Sequence, residues 1–121
     1  MNTGLSATHL AIVRAVLAQF AGVERAVLYG SRAMGTYRTG SDIDLTLYGA
    51  GLDSRKCAAI WGAFDESRLP HRVDVSVFAL LHHEGLKDHI RRVGVVLFDR
   101  QAWDAEQLGH AGPAATPASG L

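Results

Sequence analysis

A single cysteine in 121 residues, Cys57, excludes an internal disulfide framework and fits a reducing compartment. Neither sign of charge prevails. Twelve Lys and Arg offset twelve Asp and Glu, so no global field points to nucleic acid or a membrane surface, and any anion site must be local. No apolar run approaches the roughly 18 residues of a membrane span. A secretory leader pattern is missing too: Met1 to Ser6 is polar, and His9 and Arg14 interrupt the apolar positions that follow. Internal repeats are lacking as well. These absences set the expectation of a cytoplasmic domain without a membrane segment.

What is present is ordinary for a globular chain, 48% hydrophobic and 20% charged, and long enough for one domain with a real core. Ser6 caps an expected helix to about Phe20, with Leu10, Val13, Leu17 and Phe20 on one stripe. Arg25–Tyr29 reads as a short buried strand ending at Gly30, and Ser31–Met34 as one helical turn. A second strand covers Asp42–Tyr48. Asp53 or Ser54 opens a helix carrying Cys57, Ile60, Trp61 and Phe64 at helical spacing, which puts Trp61 in the core. His71–Phe78 alternates Val73, Val75 and Val77 against Asp74, Ser76 and Phe78. A last helix spans about His83 to Arg92, and Val95–Phe98 is a fourth strand. Residues 1–108 are expected to form the domain. The Gly, Ala, Pro, Ser and Thr of 109–121 read as a disordered tail. Helices alternating with strands imply a two-layer α/β (α+β) arrangement, a mixed sheet of about four strands with helices packed on it.

The chemistry concentrates in residues 30–44. Glycine at 30 permits close approach of the backbone to a ligand, and Ser31 at the start of a turn offers a hydroxyl and amide donors to an anion. The plain alternative is a turn in which Ser31 merely caps. Asp42 and Asp44, one residue apart on a strand, share a face while Ile43 takes the other. Two neighbouring carboxylates repel unless a cation sits between them, and hard oxygen ligands suit Mg²⁺. Asp74 interrupts a run otherwise fit for a buried strand, so it is paired with an arginine, bound to a metal, or at an exposed edge. If its strand neighbours that of Asp44, the three acids can converge on one or two ions, or one of them, Asp74 above all, can instead take a proton from an acceptor hydroxyl.

Arg32, directly after Ser31, is the expected phosphate arginine, and Arg38 reads more readily as solvated. His71, His82, His83 and His89 have no zinc-type spacing and read as surface or strand-end residues. Tyr29 could stack on a base, although core packing is its plainer role.

Gly30-Ser31, ten intervening residues, Asp42-Ile43-Asp44 and a later strand aspartate, Asp74, together resemble the signature of the DNA polymerase β-type nucleotidyltransferase superfamily. The short chain and its opening helix most resemble the minimal nucleotidyltransferases (MNT), over about residues 6–100. The resemblance implies that Gly30 and Ser31, with Arg32 beside them, hold the triphosphate of ATP, and that Asp42, Asp44 and Asp74 bind Mg²⁺, as two ions. It implies transfer of AMP from ATP to a hydroxyl, with release of pyrophosphate. Many minimal members pair with a HEPN-domain ribonuclease toxin and act as its antitoxin by modifying a toxin tyrosine. Two other readings stand beside this one. In the first the chain neutralises a partner by binding alone; in the second it modifies a small molecule such as an antibiotic. The latter is the less expected, since larger relatives build their acceptor pocket with a second helical domain that is not expected within these 121 residues.

Overall fold

The computed structural model describes residues 3–115, with side chains described for residues 3–108. Four strands form one mixed sheet in the order β3-β2-β1-β4, where β1 is Arg25–Tyr29, β2 Ile43–Tyr48, β3 Val73–Val77 and β4 Val95–Asp99. The central pair β1/β2 is antiparallel, as is β1/β4, whereas β2 and β3 run parallel. A parallel pair needs a crossover, and helix α3 (Ser54–Asp65) supplies it.

Helix α1 (Ala7–Ala18) begins where Ser6 Oγ accepts the His9 amide at 3.0 Å, and α3 where the Asp53 carboxylate accepts from Lys56 at 2.8 Å. Both helices lie on one face of the sheet. Val13, Val16 and Leu17 from α1 and Ile60 and Phe64 from α3 join the inward residues of the strands: Ala26 and Leu28, Ile43, Leu45 and Leu47, Val73, Val75 and Val77. The period-2 pattern of the sequence is this core face. Trp61 departs from expectation, being 42% exposed. The buried stripe of α3 is narrow, Ile60 and Phe64 being four residues apart, and Trp61 lies about 100° round the helix from Ile60.

Helix α4 (Glu84–Val93) sits on the other side and buries Ile90. His83 caps it, Nδ1 accepting from the Leu86 amide at 2.9 Å. That leaves the second sheet face partly open. Its far end is closed by Tyr48 stacked on Phe78, ring centroids 4.9 Å apart, with Arg25 over Tyr48 and Lys87 and Arg91 over Phe78. The acids occupy the opposite end.

Helix α5 (Arg100–Ala115) was not anticipated, and its backbone runs past Gly109 into the expected tail; residues 116–121 lie outside the described residues. Its first residue, Arg100, closes the C-terminal end of α1, donating to the carbonyls of Val23 (3.2 Å), Ala18 (3.2 Å) and Phe20 (2.9 Å). Among the described residues no helix is long and apolar enough to cross a membrane.

Candidate active site

Strand β1 ends at Tyr29, and Gly30 turns the chain with φ 75° and ψ −155°, a conformation essentially reserved for glycine. A one-turn helix, α2 (Ser31–Met34), follows immediately. Tyr29 pairs with Asp44 across the β1/β2 ladder, so the turn lands beside that carboxylate. The approach is close: a Cβ on Gly30 would lie 2.5 Å from Asp44 Oδ2. Glycine is needed here for both reasons.

The parallel register of β2 and β3 sets Asp44 opposite Asp74. Asp42 stands one residue before β2 and is exposed, as is Asp74, while Asp44 is half-buried. Burial pushes the Asp44 carboxyl above its ordinary range, and the charges of Asp74 and then Asp42 push it further. The three acids anticipated from the sequence are thus brought into one electrostatic neighbourhood with the Gly30-Ser31 turn. They do not close into a cage: among the described residues no three His, Cys, Asp or Glu side chains form a group that could hold a metal ion unaided.

Beside the acids, Ser76 Oγ donates to Thr46 Oγ1 at 3.0 Å, and the Tyr29 phenol is hydrogen-bonded to Ser76. Burial holds that phenol above its ordinary range despite the Ser76 bond, with Asp44 and Asp74 adding to the rise. Tyr29 therefore stays protonated next to the acids.

Arg32 is placed differently from the sequence expectation. It is 3% exposed; its Nε donates to the Ser41 carbonyl at 3.0 Å and Nη1 to the Thr3 carbonyl at 2.9 Å, with Tyr37 against the guanidinium. Those bonds tie α2 to the loop that delivers Asp42. Arg38 is exposed, and its backbone and Ser41 close a tight turn containing Gly40 at φ 84°. His71 packs edge-on to His9 at 4.8 Å. Burial, then Arg32, then His9 lower the His71 pKa, which keeps the ring neutral.

One contact escaped sequence reasoning altogether. The Gly30 amide donates to His89 Nε2 of α4 at 3.3 Å. Nothing in the spacing of His89 signals a partner 59 residues away.

The glycine-serine turn thus lies against one strand carboxylate, with a second carboxylate across the ladder. The chain belongs to the Polymerase beta nucleotidyltransferase family, whose sequence profile matches residues 12–102. Solved structures share the fold. A toxin–antitoxin crystal structure with AMP-PNP aligns with TM-score 0.63 and 16% identity, covering 84% of this chain and 91% of that one. The MntA–HepT toxin–antitoxin structure aligns with TM-score 0.54 and 15% identity, over 88% and 92%. A Shewanella oneidensis complex of a tri-AMPylated HEPN toxin with its MNT antitoxin aligns with TM-score 0.53 and 18% identity, over 82% and 76%. Among curated proteins, none matches the sequence.

Proposed function

We propose that this chain is a Mg²⁺-dependent nucleotidyltransferase that moves AMP from ATP to a hydroxyl, specifically a tyrosine of a HEPN-type toxin, and so serves as its antitoxin. The observation that carries the reading is the Gly30 turn pressed against Asp44, with Asp74 across the ladder from it. The fold likeness to toxin–antitoxin structures supports the choice of partner.

In this reading Ser31 and the amides at the start of α2 bind the phosphates. Asp42, Asp44 and Asp74 would hold Mg²⁺, which supplies neutralisation of triphosphate and pyrophosphate charge. The donor set fits that ion: hard oxygens on three carboxylates, two of them exposed, at a site where burial and then mutual repulsion raise the Asp44 carboxyl. Mg²⁺ commonly takes only one or two carboxylates and completes its shell from water and phosphate oxygens, so no protein cage is required. The acceptor oxygen forms a bond to the α-phosphorus, the α–β bridging bond breaks, and pyrophosphate departs. Asp74 takes the hydroxyl proton.

The test is transfer of α-labelled ATP, with Mg²⁺, into the protein encoded beside this one and co-expressed with it. Label that appears with wild type and vanishes with the Asp42→Ala, Asp44→Ala double variant is the expected result. No label, with a tight complex retained by the variant, would show that the chain works by binding alone.

A further inference from the structure

The ladder that supports β1 on its β4 side stops early. Its last register pair is Leu28 with Val95, because the residues before Val95 are Gly94 and the end of α4. Gly30 lies two residues beyond that pair, in a backbone conformation no strand partner imposes. Its amide is held instead by a side chain, His89 Nε2 at 3.3 Å. Accepting at Nε2 places the ring proton on Nδ1. The ring is oriented by Tyr29, which meets it edge-to-face at 6.3 Å and 84°, and its helix is anchored by the buried Ile90 one residue on.

We propose that His89 is a positioning residue for the triphosphate turn, replacing the backbone acceptor that β4 does not extend far enough to provide. The inference rests on the reading of Gly30-Ser31 as the phosphate site and gives α4 a part in it. The geometry leaves little slack: Gly30 abuts Asp44 so closely that any drift of the turn changes the spacing between Ser31 and the carboxylate. Without the imidazole, the Gly30 amide is left to water, and the turn gains freedom that nucleotide binding must remove. His89 acts through Gly30, so it affects how well the triphosphate is held rather than the bond-making step.

The experiment uses the full chain with Mg²⁺ and a non-hydrolysable ATP analogue, with affinity read by calorimetry for wild type, His89→Ala and His89→Gln. Loss of one amide acceptor is expected to weaken binding about tenfold in His89→Ala. His89→Gln, whose amide oxygen reaches a similar position, should recover to within about threefold of wild type. In turnover assays KM for ATP should rise with kcat little changed, the pattern of lost uniform binding. Wild-type affinity in His89→Ala would overturn the proposal, and so would equal weakening in both variants, which would reduce His89 to ring packing. Should His89→Ala fail to fold, His89→Gln decides: near-wild-type affinity supports the proposal and weak affinity overturns it. If wild type itself binds no nucleotide, the transfer reading fails and this inference falls with it.

Discussion

At the scale of single residues, the site is governed by crowding and by charge. Gly30 cannot carry a side chain, since its φ is 75° and Asp44 Oδ2 occupies the space a Cβ would need. Gly30→Ala should cost about 1–3 kcal/mol in urea unfolding and abolish binding of Mg²⁺ with an ATP analogue. Asp44 titrates in the opposite sense to a salt-bridged acid. Its folded pKa is raised, so the folded state binds more protons than the unfolded one, and stability falls as pH rises through the carboxylate range. Metal-free Asp44→Asn should therefore unfold at a higher temperature than wild type at pH 7, and the advantage should disappear in acid. Thermal unfolding in EDTA at both pH values checks this, and an Asn variant less stable at pH 7 would sink the argument. Arg32 is the residue where local sequence misled. Its position after Ser31 pointed to phosphate, yet the guanidinium is buried on two backbone carbonyls. Arg32→Ala should lower stability by roughly 2–3 kcal/mol, because buried carbonyls lose a charged donor.

At the scale of elements, the ends of helices and strands organise the molecule. Helix α1 would leave carbonyls unmet at its C-terminal end, and Arg100, at the start of α5, reaches three carbonyls there and just beyond. Arg100→Met, which keeps much of the aliphatic stem, should cost about 2 kcal/mol by denaturant titration and leave nucleotide affinity unchanged. A larger effect on affinity than on stability would show that α5 communicates with the acids. The end of β1 is finished in a comparable way, by His89 from α4 rather than by another strand. Strand β3 is held at its outer edge partly by Cys57, whose thiol donates to the Val75 carbonyl at 3.4 Å. Burial, then Asp74, raises that thiol's pKa, so Cys57 is a packing residue of low reactivity.

At the scale of the whole molecule, the sheet has two unlike faces. One is sealed by α1 and α3; the other carries the acids at one end and the Tyr48–Phe78 stack at the other, with α4 across it. A ligand that binds the acid end of the folded sheet should stabilise the entire domain. With Mg²⁺ and an ATP analogue at about 100 times Kd, unfolding free energy should rise by about 2.7 kcal/mol, a gain absent from the Asp42→Ala, Asp44→Ala variant. Thermal unfolding with and without the pair of ligands measures it.

Much of this design is local and was legible in the sequence. Alternation at Val73, Val75 and Val77 marked a core face, Ser6 and Asp53 marked helix starts, and Gly30-Ser31 marked the turn that ends β1. Periodicity and capping depend on neighbours within a few residues, so the chain itself carries them. Tertiary structure decided the rest: that Asp74 stands across from Asp44, that Arg32 turns inward, that Trp61 misses the core, and that His89 meets Gly30. Those outcomes follow from which distant strands pair and which helix packs against which face. They depend on tertiary contacts, the longest of them 59 residues apart in sequence, and no local pattern encodes them.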